Sequence, residues 1–143
     1  MNRRLVGILT VLCLLMTGCQ DSVEQVAGAY SYKISGSVII DEDTIVLSNE
    51  TGAMEILRVS ADSAMVTFNA LLGPAYATPA KINGKKMRLL PFKRSLNVRV
   101  KDYEVTAKAE GTVYDRTILL NLQYENAAEK LKADSLVLLC KKN

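Results

Sequence analysis

Residues 29–40, AYSYKISGSVII, decide the fold because their polarity alternates from one residue to the next. The apolar or small residues at the even positions are Tyr30, Tyr32, Ile34, Gly36, Val38 and Ile40. The polar residues at the odd positions are Ser31, Lys33, Ser35 and Ser37. Successive side chains of a strand point to opposite faces, so this period of two predicts a long antiparallel strand with one buried face.

The same alternation returns in residues 103–113, YEVTAKAEGTV, and shorter strands are predicted between and after these two. Turn-forming residues separate them at close intervals, among them residues 41–43, 50–52 and the pair Asn83-Gly84. The pattern predicts eight or nine strands and no strong helix. We therefore expect an all-β protein, an antiparallel eight-stranded up-and-down barrel or a flattened sandwich.

The chain begins like a targeting segment, with Arg3 and Arg4 before an apolar run of about 12 residues, 5–16. A transmembrane helix needs roughly 20 residues, so this run is too short to span a bilayer. Residues 16–19, Met-Thr-Gly-Cys, resemble a bacterial lipobox. The resemblance implies a signal peptide at 1–18, acylation of Cys19 and a lipidated tether at 19–27. The strand pattern then predicts a single β-barrel domain at 28–143. The alternative is an ordinary signal peptide with an incidental cysteine.

Acylated Cys19 makes the membrane the first expected partner. One acyl chain binds a bilayer only reversibly, whereas the two or three chains of a mature bacterial lipoprotein would hold permanently. An extended tether would reach at most about 30 Å. Gln20 follows the cysteine in place of the aspartate that retains lipoproteins in the inner membrane. We therefore expect an outer-membrane lipoprotein of the cell envelope, in either leaflet.

The chain has no histidine and no tryptophan. The absence of histidine excludes Ser-His-Asp and Cys-His mechanisms and nearly all zinc sites, so we expect neither an enzyme nor a cofactor or metal. Asp41-Glu42-Asp43 is interpreted as a polar turn because three adjacent carboxylates cannot all converge on calcium. Cys140 would remain the single cysteine of the mature chain and is expected to be a buried, small apolar residue.

Charge is segregated along the chain, since residues 63–101 contain no acidic side chain. The basic residues of this stretch are Lys81, Lys85, Lys86, Arg88, Lys93, Arg94, Arg99 and Lys101. Alternation with apolar neighbours places them on the solvent face of adjacent strands, where they would form one basic surface. That surface is either a contact for anionic lipid or an acidic partner, or a merely solvated face. No aromatic residues interleave with the charges, so nucleic acid is not an expected partner.

Tyr30, Tyr32 and Tyr103 lie on the predicted inward faces. Their hydroxyls would either line a lumen and orient a ligand, or be satisfied within a packed core.

Three stretches, AYSYKISGSV, VSADSAMVTFNALLG and YEVTAKAEGTVYDRTILLNL, together resemble the small calycin-like lipoproteins of gut Bacteroidetes. The resemblance implies a lipocalin-like barrel of eight strands and carries no catalytic signature. It also suggests O-glycosylation, because Asp-Ser/Thr followed by an apolar residue is similar to the acceptor described for that phylum. The acceptor positions would be Ser22, Thr44, Ser63 and Ser135. Turn-then-strand sequences produce the same triplets by chance.

These features together predict a lipid-anchored, non-catalytic binding module. Its partner would be a small apolar or amphipathic ligand in the interior, or another envelope protein. The competing prediction is a structural or accessory subunit of an envelope complex, with a filled barrel and no ligand.

Overall fold

The computed structural model describes residues 21–69 and 71–143, with the backbone alone at residues 134 and 135. One short helix, α1, spans Ser22–Val26 and precedes eight strands. The strands are β1 (Gly28–Ile40), β2 (Asp43–Arg58), β3 (Ser63–Asn69), β4 (Tyr76–Asn83), β5 (Lys86–Val98), β6 (Lys101–Tyr114), β7 (Thr117–Asn126) and β8 (Leu131–Lys142). Within the described ranges, no helix is long and apolar enough to cross a bilayer.

The strands form one antiparallel sheet that closes on itself. Each strand pairs with its neighbours in the chain, and β8 returns to pair with β1. The predicted all-β antiparallel fold is confirmed. The turn predicted at residues 50–52 is wrong, because β2 continues through them and Gly52 pairs with Tyr32. Glycine is required there, since a Cβ would collide with the Tyr32 ring.

Two ends of the closed sheet are distinguished by their connections. The helix end carries α1 and the turns at residues 59–62, 84–85 and 115–116. The far end carries the turns at residues 41–42, 99–100 and 127–130 and a loop at residues 71–75.

Residue Asp21 fixes the start of α1 against the sheet. It is the N-cap of the helix, and its side chain accepts a hydrogen bond from the Glu24 N–H at 2.7 Å. The same carboxylate pairs with Arg58 at the end of β2, with an Arg58 Nη2 to Asp21 Oδ2 distance of 2.6 Å. These contacts hold the pKa of Asp21 below its usual value, the hydrogen bond from Arg58 having the largest effect.

The remainder of α1 packs into the helix end of the sheet. Val23 and Val26 are buried, and the Tyr30 hydroxyl donates a 2.6 Å hydrogen bond to the Val26 carbonyl. Residues 19–27 were expected to be a lipidated tether; from Asp21 onward the chain is packed against the sheet. Apolar residues spaced one helical turn apart gave α1 a buried face, so this segment belongs to the folded domain.

The core fills the space inside the closed sheet. Cys140, on β8, is fully buried, which confirms the expectation of a small apolar role. Burial raises the pKa of its thiol to about 12.

Candidate ligand-binding site

The hydrogen-bond ladder between β4 and β5 covers only part of the two strands. Their pairing runs from Asn83↔Lys86 to Ala80↔Leu89 and stops there, so residues 76–79 and 90–97 do not pair with each other. Pro79 and Pro91 lie at this boundary, and proline has no N–H to donate to a ladder. We call the unpaired region between residues 76–79 and 90–97 the β4–β5 gap.

A bulge in β5 beside the gap changes which side chains face inward. The register of β5 with β6 shifts between Leu89 and Phe92. Before the shift the odd-numbered residues are buried, as at Met87, and after it the even-numbered residues are, as at Leu96 and Val98. A one-residue register change sends every following side chain to the opposite face.

Arg94 is therefore inside the sheet, and its predicted place on the basic surface is wrong. The residue is only 6% exposed. Its guanidinium carbon lies 3.9 Å from the Tyr76 ring centroid. Nε donates to the Ser95 carbonyl at 3.1 Å, and Nη1 donates to the Tyr124 hydroxyl at 3.4 Å.

Two polar groups at this position lack a hydrogen-bond partner among the described residues. They are Arg94 Nη2 and the Tyr76 hydroxyl, both fully buried; neither makes a hydrogen bond of good geometry, although the Tyr76 hydroxyl lies close enough to Tyr124 and Arg94 to interact with both. Arg94 also makes no ion pair with any described carboxylate, in contrast to the paired basic residues on the surface. A buried charge without a counter-ion costs several kcal/mol. The site therefore holds a positive charge and two unused donors in a low-dielectric environment.

Aromatic rings surround the guanidinium and continue into the core. Tyr76 stacks on Phe92 and on Phe68, with ring centroids 5.2 Å apart in both pairs. Burial raises the pKa of Tyr76 far above its usual range; nearby Tyr124 raises it further and Arg94 lowers it. We call Tyr76, Phe92, Arg94 and Tyr124 the Arg94 cluster.

The loop at residues 71–75, here called the cover loop, closes the gap over this cluster. Gly73 has a φ of +149°, and a Cβ on it would lie 2.9 Å from both Arg94 Nη2 and the Ser95 carbonyl. The loop is held to β5 by a 2.8 Å hydrogen bond from the Asn97 N–H to the Leu72 carbonyl. Gly73 is thus the residue that covers the unpartnered nitrogen.

The tyrosines predicted to line a lumen all face inward, but they are satisfied or packed. Tyr30 is fully buried, Tyr32 is 2% exposed, and Tyr103 is 8% exposed. The Tyr32 hydroxyl donates to the Asn69 carbonyl at 3.1 Å, as Tyr30 does to Val26. Burial raises the pKa of both Tyr30 and Tyr32 to about 12.

Tyr103 lies at the far end, away from the other two. It borders a surface cavity of about 710 Å³ with Arg99 and Lys101, and the Lys101 ammonium lies 4.6 Å from its ring centroid. The two β1 tyrosines therefore do not form a common ligand site with Tyr103.

The predicted basic surface is divided rather than continuous. Lys85 and Lys86 lie at the helix end, whereas Arg99 and Lys101 lie at the far end. Residues 99 and 100 form the β5–β6 turn, where the Val100 side chain is 98% exposed.

Acidic residues from outside the 63–101 stretch neutralise half of this set. The ion pairs are Lys81–Asp62 at 3.1 Å, Arg88–Glu110 at 3.0 Å, Arg99–Asp43 at 3.0 Å and Lys101–Glu129 at 3.3 Å. Lys85, Lys86 and Lys93 are exposed and make no ion pair with a described residue.

The predicted modification positions differ in their surroundings. Thr44 is exposed and Ser22 is partly exposed. The Ser63 hydroxyl is engaged, because it donates to Asp62 at 2.8 Å and accepts from Lys81 at 2.7 Å. Cys19 and the signal peptide lie outside the described residues, as does the side chain of Ser135.

The acidic residues do not converge on a cation. Among the described residues, no group of three or more cysteine, aspartate or glutamate side chains is placed to hold a metal ion. Asp41 and Asp43 instead pair with Lys130 and Arg99 across the far end.

Sequence reasoning missed the Arg94 cluster because it extended one alternation through the whole of β5. A signal was present, since Pro91 interrupts a strand that otherwise alternates, and proline inside a sheet marks an edge or a bulge. Tyr76 and Tyr124 carried no such signal.

Fold and site together define an all-β protein with one closed antiparallel sheet and a buried arginine beneath a gap in that sheet. The chain matches no protein-family model and shows no significant similarity to a curated protein or to a solved structure. The resemblance to calycin-like lipoproteins stays a prediction.

Proposed function

We propose that the protein is a lipid-anchored, non-catalytic binding module with a lipocalin-like, up-and-down barrel, and that it binds a small amphipathic ligand. The observation that carries this proposal is the buried Arg94 guanidinium, which has an unpartnered nitrogen and no carboxylate partner among the described residues. Burying such a charge without a counter-ion is costly, and a ligand that compensates it would account for its presence.

The β4–β5 gap supplies the route in this proposal. Because residues 76–79 and 90–97 share no ladder hydrogen bonds, opening of the cover loop would break its Asn97–Leu72 bond but no β4–β5 pairing. Leu90, on the rim of the gap, is 40% exposed, so the apolar part of a ligand would meet an apolar surface there.

The anchor at Cys19 would set the orientation of the molecule. Asp21 is bonded to Arg58, and two residues of extended chain reach only about 7 Å. Acylation would therefore hold the helix end at the outer membrane, with Lys85 and Lys86 near the headgroups and the cover loop facing away. This placement leaves the gap accessible to a ligand arriving from the aqueous side.

The second candidate function is that of an accessory subunit in an envelope complex. It is favoured by the tyrosines of β1, whose hydroxyls are both bonded to backbone carbonyls inside a packed core. In that case the partner would bind the outer surface and the interior would stay filled.

Native mass spectrometry of the protein extracted from its host in mild detergent distinguishes the two. Binding-module function predicts retained adducts of a few hundred daltons that are lost on unfolding. A stoichiometric protein partner without small adducts would support the accessory role instead. The same spectra report acylation at Cys19 and hexose-sized increments at the predicted acceptor positions.

A further inference from the structure

We infer that the ligand carries a single carboxylate, which binds to Arg94 Nη2 and the Tyr76 hydroxyl beneath the cover loop. This inference rests on the proposed binding function and specifies the chemical class of the ligand. It begins from the two buried donors that the described residues leave without partners.

The directions of the arginine donors determine what can bind. Nε and Nη1 each donate one hydrogen bond, to the Ser95 carbonyl and the Tyr124 hydroxyl, and Nη2 is the guanidinium nitrogen left with no partner among the described residues. A carboxylate has two oxygens, one for Nη2 and one for the neighbouring Tyr76 hydroxyl. Hydrogen bonds from a charged donor to a carboxylate are about twice as strong as neutral ones.

The charge of the site selects a monoanion. Arg94 brings one positive charge, and no described carboxylate is paired with it. One carboxylate would make the buried site neutral, whereas a phosphate dianion would leave an excess negative charge in an apolar interior. A cationic or neutral head group would leave the guanidinium uncompensated.

The surroundings of the site indicate an apolar group attached to the carboxylate. Phe92 stacks on Tyr76 at the inner side of the gap, and Leu90 is exposed at its rim. The Gly73 backbone packs closely over Nη2, since a Cβ there would lie 2.9 Å from it, so binding would require the cover loop to move away. A short alkyl or aryl carboxylate would match this arrangement, with its carboxylate at the polar donors and its apolar part against Phe92 and Leu90.

The test uses the chain from Asp21 to Asn143, which contains all eight strands and the described core, after cooperative unfolding has shown that it is folded. Isothermal titration calorimetry is carried out with octanoate, 1-octanol, octylammonium and octyl phosphate. We expect octanoate to bind at least tenfold more tightly than each of the other three.

Variants then locate the binding. Arg94→Met should weaken octanoate binding at least tenfold and reduce its preference over 1-octanol to about one. Tyr76→Phe, which removes only the hydroxyl, should weaken octanoate binding several-fold and serves if Arg94→Met does not fold. Lys93→Met is the matched control, since it removes the same charge from the exposed face of the same strand and should leave binding unchanged.

The outcomes separate this inference from the proposed function. If 1-octanol binds as well as octanoate, and Arg94→Met binds both unchanged, carboxylate recognition is overturned while ligand binding stands. If Lys93→Met weakens octanoate binding as much as Arg94→Met does, the anion binds the outer surface and the inference is also overturned. If none of the four compounds binds and native spectra show only a protein partner, both proposals fail.

Discussion

At the scale of single residues, Arg94 is the position where stability and binding are expected to oppose each other. Its guanidinium is buried against Tyr76 and has no described counter-ion. We expect Arg94→Met to raise the free energy of unfolding by about 1–2 kcal/mol, because an apolar side chain of similar length removes an uncompensated buried charge. Urea unfolding monitored by circular dichroism, without ligand, measures the change.

The control for this prediction is again Lys93→Met, whose exposed side chain should change the stability by less than about 0.5 kcal/mol. A loss of stability of more than about 1 kcal/mol in Arg94→Met would show that the contacts to Tyr76, Tyr124 and Ser95 outweigh the cost of burying the charge. Arg94 would then be a structural residue.

At the scale of elements, the turn between β2 and β3 is organised by one carboxylate. Asp62 accepts hydrogen bonds from Ser63 at 2.8 Å, from Lys81 at 3.1 Å and from Ser60 at 2.9 Å. These bonds, that from Ser63 most of all, lower the pKa of Asp62 to about 2. The contacts join the turn to β4, where the Ile82 N–H also bonds to the Asp62 carbonyl at 2.9 Å.

The low pKa of Asp62 makes its contribution to the free energy of unfolding depend on pH over a definite range. The folded value of about 2 lies below the unfolded value of about 4, so the stabilisation is present above pH 4 and is lost as the pH falls to about 2. We therefore expect Asp62→Asn to be less stable than the wild type at pH 5, and the difference to disappear between pH 4 and 2. Urea titrations at a series of pH values test this.

Asp115→Asn serves as the comparison for the Asp62 variant. Asp115 lies in the equivalent turn between β6 and β7 and makes no ion pair with a described residue. The free energy of unfolding of Asp115→Asn should follow that of the wild type from pH 5 to 2. A constant difference between Asp62→Asn and the wild type over this range would contradict the assignment.

Elements also show why the sequence predicts some strands and not others. In β1 and β6, polar and apolar residues alternate over most of the strand. Burial therefore alternates between even- and odd-numbered residues, and the predicted inward faces are right. In β5 the bulge at residues 90–91 reverses parity, and no local property of Arg94 reports that reversal. Similarly, residues 50–52 form a good turn in isolation, but pairing with β1 overrides that preference.

At the scale of the whole molecule, closure of the sheet cannot be predicted from any single segment. Strand number and antiparallel order follow from turn spacing, whereas the pairing of β8 with β1 depends on twist accumulated over all eight strands. The contact between α1 and the sheet is equally non-local, since Asp21 meets Arg58 far along the chain. Pairings of this kind have to be read from the structure.

Cys140 lies on β8, the strand that closes the sheet, and its reactivity can show whether the sheet is closed. It pairs with Tyr32 of β1 on one side and with Ile118 of β7 on the other, and it is fully buried. Thiol reagents react with the thiolate, and burial raises the pKa of Cys140 to about 12. Labelling therefore requires the closed sheet to open and expose the residue.

We expect Cys140 in the chain from Asp21 to Asn143 to react with a maleimide at least about a thousandfold more slowly than an exposed cysteine, because a stable domain unfolds only rarely. The reference is Val46→Cys in a Cys140→Ala background, since residue 46 is 73% exposed on β2. Urea should accelerate labelling of Cys140 with the same denaturant dependence as global unfolding. Fast labelling with little dependence on urea would instead mean that the β1–β8 pairing opens locally, and the sheet would then not be a uniformly closed unit.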